Sequence, residues 1–140
     1  MAKATTEELL AQVPLFKGLS KKHREKVANL MTRIDAPAGK ELTHEGGHGQ
    51  EFIVILEGDV EVRRGDDVIA KRGAGDYVGE ISLLDDRPRT ATVVATTPVI
   101  IDVLGRREFT TFLHDEPELG EQIKATAAER LKALDTAGES

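Results

Sequence analysis

The chain has 140 residues, no cysteine, and 25 acids against 19 lysines and arginines, a formal net charge of -6. That is one domain's worth, long enough for an independent core. Disulfides, thiolate metal sites and cysteine nucleophiles are excluded, and the acidic balance leaves no global basic footprint for nucleic acid or an anionic membrane surface.

No apolar run approaches the roughly 20 residues that span a bilayer. The N-terminus Met1-Ala2-Lys3-Ala4-Thr5-Thr6-Glu7-Glu8 has no stretch resembling a signal peptide. A cytoplasmic protein is the expectation. Aromatics are 4 % and Trp is absent, so a stacking platform for single strands is not expected.

Residues 1–34 read as N-terminal helices. Thr5 followed by Glu8 has capping-box spacing, Leu9, Leu10 and Val13 give an apolar face, and Pro14 stops the run. Ser20 reads as the next N-cap. Val27, Leu30, Met31 and Ile34 then form one buried helical stripe. Lys21, Lys22, Arg24 and Lys26 at the start of that helix read as a solvated face.

From Asp35 to Gly105 the texture is β. Ala36-Pro37-Ala38-Gly39 is a turn and Phe52-Ile53-Val54-Ile55-Leu56 a fully apolar run closed by Glu57-Gly58. Val60 and Val62, then Val68 and Ala70, alternate with polar neighbours about a Gly65-Asp66-Asp67 hairpin loop. Thr92–Ala95 and Val99–Val103 are two further strands. Short strands at near-regular spacing imply an antiparallel sandwich or barrel.

Residues 106–140 return to helical period. Pro117 lies in the first turn of the last helix, and Leu119, Ile123, Ala127, Leu131 and Leu134 form one stripe. That stripe packs on the barrel or, alternatively, forms a homodimer seam.

His44-Glu45-Gly46-Gly47-His48 matches H-E-x-x-H literally. A zinc protease needs that pattern on a helix, so that both imidazoles face one metal. Two central glycines, each costing about 1 kcal/mol of helix propensity, and the β run beginning at Phe52 make it a loop instead. No metal site is expected, and His23, His44, His48 and His114 do not supply the alternating ligands of a metal-dependent jelly-roll enzyme.

The informative stretch runs from Gly75 to Val93. A strand ends at Gly79, which permits close backbone approach. Glu80–Leu84 makes one short helical turn whose free N–H groups point at an anion. A loop with Pro88 then presents Arg89, and the next strand starts at Thr90. A phosphate there meets an Arg fork, backbone amides and a hydroxyl. Glu80 beside an anion makes sense if it accepts from a neutral hydroxyl such as a ribose 2′-OH. The bland alternative is a loop with a surface salt bridge at Arg89.

This stretch resembles the phosphate-binding cassette of cyclic nucleotide-binding domains, as in the catabolite activator protein and the regulatory subunits of cAMP-dependent protein kinase. Pro14-Leu15-Phe16-Lys17-Gly18-Leu19-Ser20, Gly39–Leu42 with Glu45-Gly46, and Phe52–Gly58 with Val60 and Val62 extend the resemblance over roughly residues 14–134. It implies an eight-stranded antiparallel β-roll (a jelly roll, or double-stranded β-helix) with N-terminal helices and a C-terminal helix. The chain would be a single domain over 1–140: helices to 34, the roll over 35–105 with its cassette at 79–91, and helices over 106–140.

The resemblance also implies roles. Arg89 would pair with the exocyclic phosphate oxygens, Glu80 would accept the ribose 2′-OH, and amides around Ile81, Ser82 and Ala91 would complete the cradle. Gly79 would allow close approach to the sugar. Thr90 resembles members that accept cGMP and is compatible with cAMP. Leu83 stands at the apolar hinge contact. Two departures stand out. Gln50, with Glu51 beside it, occupies the position where some kinase-type members carry an acid bracing the cassette Arg. No aromatic follows Phe112, so Leu131, Leu134 or the stem of Arg130 would cap the base.

The function expected is a non-catalytic sensor that prefers cAMP and is compatible with cGMP, with no cofactor, signalling through its C-terminal helix to an effector protein. A ligand-free structural or interaction module of the same fold is the alternative. With residues 14–134 taken up by the sensor, no effector domain is expected to be attached.

Overall fold

The computed structural model describes residues 6–48, 51–85 and 88–138. In chain order it has α1 (Thr6–Leu10), a 3₁₀ turn (Pro14–Phe16), α2 (Lys21–Leu30), β1 (Thr32–Ala36), β2 (Glu41–Thr43), β3 (Glu51–Glu57), β4 (Asp59–Arg64), β5 (Asp67–Gly73), β6 (Tyr77–Val78), α3 (Glu80–Asp85), β7 (Thr92–Ala95), β8 (Val99–Gly105), α4 (Arg106–Asp115) and α5 (Pro117–Gly138). The eight strands form two antiparallel four-stranded sheets, ordered β1-β8-β3-β6 and β2-β7-β4-β5. This is the expected β-roll with flanking helices.

The unbroken apolar run of β3 follows from burial on both faces, which removes the usual alternation of a half-exposed strand. Ile53 and Ile55 point between the sheets, where they meet Val60, Val78, Val93, Ala95, Val99, Ile101 and Val103. Phe52 and Val54 point outward into a second core, packed by the helices through Leu10, Val13, Phe16, Val27, Phe109, Phe112, Leu119 and Ile123. Phe52 sits centrally there, with ring centroids 4.9 Å from Phe109 and 5.2 Å from Tyr77.

One boundary differs from the sequence reading. The α2 helix stops at Leu30, and Thr32 to Ala36 pair with β8, Ile34 opposite Ile101. Ile34 is therefore not part of a buried helical stripe; it lies 41 % exposed on an edge strand. Two β-branched residues in Thr32-Arg33-Ile34 favour the strand, and Arg33 Nε donates to the fully buried Asp102 at 3.2 Å. Ser20 caps α2 as expected, its Oγ accepting from the His23 amide, and Lys21, Lys22 and Lys26 are exposed. The Thr5 cap lies outside the described residues.

The apolar stripe of α5 is covered by the chain itself. Leu119 and Ile123 enter the helical core, and Ala127 and Leu134 pack with Ile81.

Gly58, at the β3–β4 turn, has φ +93°, and a Cβ there would come within 2.3 Å of the Pro98 carbonyl oxygen. Gly58→Ala should therefore cost roughly 1–3 kcal/mol or more, since left-handed strain adds to the clash. Chemical denaturation measures this directly.

Candidate functional site

Three backbone features build the site. β6 ends at Val78, and Gly79, at φ +95°, turns the chain straight into α3. A Cβ on Gly79 would stand 2.6 Å from the Glu51 carbonyl oxygen and 2.7 Å from Arg89 Nη1, so only glycine permits this approach. Arg89 is then held by the loop that resembled a metalloprotease motif: Arg89 N–H donates to Gly47 O (2.7 Å) and Gly46 N–H to Arg89 O (2.9 Å). The H-E-x-x-H segment is accordingly a non-helical strap, and among the described residues no group of three or more metal-ligating side chains gathers.

These elements enclose a cavity of about 280 Å³. All seven residues expected to contact a ligand line it: Gly79, Glu80, Ile81, Ser82, Arg89, Thr90 and Ala91. Arg130 and Leu134 line it from α5. Leu131 instead faces a neighbouring recess with Arg64 and Pro88. Leu83 turns away from the cavity into the helical core, in one cluster with Leu119 and Ile123.

The Arg89 side chain is buried. Nη1 donates to Gly79 O and to Ser82 Oγ, both at 3.1 Å, and Nη2 to Glu51 O at 2.8 Å. Burial pushes its pKa below the ordinary arginine value, while Glu51 and Glu80 pull the other way. The brace here consists of two carbonyls and a hydroxyl; the Gln50 position lies outside the described residues.

Glu80 is only 2 % exposed. Its Oε1 accepts from Arg130 Nη1, which also donates to Tyr77 O at 2.8 Å, while Nη2 reaches Asp76 Oδ1 at 2.9 Å. The guanidinium also lies 4.9 Å from the Tyr77 ring centroid. Burial works against the Arg130 charge, but Glu80 and Asp76 outweigh it and the net pKa shift is upward. Arg130 is thus more than an apolar stem: its head ties α5 to β6 and α3. A carboxylate has about four acceptor positions, and the bond from Arg130 is at Oε1, so Glu80 keeps capacity for a hydroxyl donor.

Sequence reasoning missed the rest of the wall: Thr43, Val62, Ile69, Ala70, Arg72, Val78, Val93, Glu129 and Ala133. The alternation of Val60, Val62 and Ala70 was a signal for one inward face. Which residues meet across the cavity depends on strand register, which short segments do not carry. Thr43 supports the cassette, its hydroxyl donating to Ala91 O at 3.0 Å.

A buried arginine, a glycine-permitted close approach and a buried carboxylate surround one cavity of the β-roll. The chain matches the family model for the cyclic nucleotide-binding domain over residues 33–116, and it belongs to that family. A cAMP-dependent protein kinase regulatory subunit of Mycosarcoma maydis is 40 % identical over 97 residues, 66 % of this chain and 18 % of that protein. The chain thus spans about a fifth of that relative's length. Among solved structures, "Sp-2Cl-cAMPS bound to PKAR CBD2" has a TM-score of 0.83 at 26 % identity, covering 94 % of this chain and 88 % of the other. The regulatory subunit of a cAMP-independent protein kinase A from Trypanosoma cruzi bound to guanosine has a TM-score of 0.79 at 28 % identity, covering 96 % and 50 %. Among the described residues no helix is long and apolar enough to cross a membrane.

Proposed function

We propose that this chain is a non-catalytic, cytoplasmic cyclic nucleotide sensor, a single domain over residues 1–140. It binds cAMP and accepts cGMP, and it transmits occupancy through α5 to an effector protein. The observation that carries this is Arg89, a buried guanidinium at the cavity wall beside Gly79, Ser82 and Ala91. In this reading Arg89 takes the cyclic phosphate with amides of Ile81, Ser82 and Ala91. Glu80 accepts the ribose 2′-OH, Thr90 lies at the phosphate and base, and Leu134 with the Arg130 stem covers the base. Ligand contacts shift α3, and with it Leu83, which packs in the same core as the first half of α5. Occupancy then biases the position of α5.

A second reading, a ligand-free interaction module, is favoured by one observation. Arg89 and Glu80 already have partners within the protein, Arg89 on Glu51 O, Gly79 O and Ser82, and Glu80 on Arg130. Thermal unfolding with added nucleotide separates the two. Saturation at 100 times Kd adds about 2.7 kcal/mol to the folded state, so a rise in Tm with cAMP or cGMP supports the sensor. An unchanged Tm at millimolar cAMP and cGMP supports the ligand-free module.

A further inference from the structure

We propose that Glu45 is a positioning residue that couples the phosphate arginine to the far end of α5, through the tip of the β4–β5 hairpin. The coupling rests on the reading of the cavity as a cyclic nucleotide site. Its route is separate from the apolar contact at Leu83, which reaches the first half of α5 at Leu119 and Ile123.

The route is a run of hydrogen bonds. Arg89 is clamped through its backbone as well as its side chain: its N–H donates to Gly47 O, and its carbonyl accepts from the Gly46 N–H. Two bonds between the same short segments leave little slack, so a shift of Arg89 on taking a phosphate carries the 44–48 strap with it. Within the strap, Glu45 is fixed on two sides. Its N–H donates to Thr92 Oγ1 and its Oε1 accepts from the Gly65 N–H, each at 2.9 Å. Gly65 follows the last residue of β4, in the loop to β5. That last residue is Arg64, whose Nη1 donates to Leu134 O at 2.8 Å. Phosphate arginine, strap, hairpin tip and α5 are thus joined in series.

Each link has a chemical reason. The N–H of a tight hairpin loop needs an acceptor outside the ladder, and an ionised carboxylate is a stronger one than a neutral group. Strand alternation puts Arg64 on the inward face of Val60 and Val62, toward α5. Leu134 O lies near the C-terminus of α5, at the negative end of the helix dipole, where a guanidinium is favoured. Strap, hairpin and α5 together line a recess of about 450 Å³ that meets the ligand cavity at Arg89, Thr90 and Leu134. Glu45 and Arg64 are exposed, so each should be replaceable without unfolding the chain, and a loss of coupling can be told from a loss of fold.

Hydrogen exchange in the full chain, with and without saturating cAMP or cGMP, tests this beside the release of mant-cAMP. In the unaltered chain nucleotide should slow exchange at residues 80–85 and at 131–138. Glu45→Ala and Arg64→Leu should each remove the protection at 131–138 and keep it at 80–85. Each should also release mant-cAMP about threefold to tenfold faster, the worth of one hydrogen bond. Glu45→Gln, which keeps the acceptor oxygen, should retain most of the protection. Links in series fail together, so the double variant should lose no more than either single one. Unchanged protection at 131–138 in either single variant overturns the coupling. So do additive losses, and so do equal losses at 80–85 and 131–138, which make these bonds general supports of the fold. If neither nucleotide protects residues 80–85 in the unaltered chain, the cyclic nucleotide reading itself falls, before any variant is compared.

Discussion

Arg89→Ala is expected to abolish cyclic nucleotide binding, and Arg89→Lys to weaken it by a hundredfold or more. Hydrogen bonds to charged groups contribute about 1.5–3 kcal/mol each, and an arginine fork supplies two to one phosphate. At 1.4 kcal/mol per tenfold, losing both exceeds a factor of about a hundred. Lysine keeps the charge but not the planar fork. The alanine variant also strips partners from Glu51 O and Gly79 O, a cost of about 1–3 kcal/mol in stability. Titration calorimetry on the folded variant, with its Tm recorded alongside, separates the two losses. Binding as tight as in the unaltered chain would falsify the assignment of Arg89 to the phosphate.

The largest effect on stability is expected at Arg130. Removing it as Arg130→Ala leaves Glu80, 2 % exposed, without a cation. Breaking a buried pair from one side costs about 3–5 kcal/mol, most of it the stranded charge. The second prediction follows from that cause. Glu80→Gln in the same chain removes the stranded charge, so the double variant should recover much of the loss, and a double-mutant cycle in denaturant should give a coupling well above zero. Hydrogen exchange should also speed up in residues 117–138, because Arg130 ties that helix to Tyr77 O and Asp76. Additive losses with unaltered exchange in α5 would remove the tie.

What the sequence carried and what it did not divides by range. The β3 run, the four residues of β7, the β4–β5 hairpin loop and the Ser20 cap are local patterns and fall where they were read. The cassette is contiguous, so its seven residues could be read in one stretch. The α2–β1 boundary was misread because Ile34 keeps helical spacing from Val27 while its neighbours prefer a strand, and pairing with β8 decides the matter. The Arg130–Glu80 pair joins residues fifty positions apart. That pair has no signature in residue types at fixed spacing.

The 22 residues of α5 are held unevenly: Leu119 and Ile123 are sunk in the large aromatic core, whereas Ala127 and Leu134 rest on the small cluster around Ile81 beside the cavity. Mechanically this is a lever with a fixed end and an arm held by few apolar contacts and by the polar pin of Arg130 on Glu80, Asp76 and Tyr77 O. From Thr126 to Gly138 the arm measures about 18 Å at 1.5 Å per residue. A pivot of about 20° at Thr126 would carry its tip about 6 Å, more than one helical turn of travel. The same pivot would lift Leu134, about 12 Å from Thr126, by about 4 Å, so the arm can swing only by leaving its seat on the Ile81 cluster, and a partner could register that as a different surface.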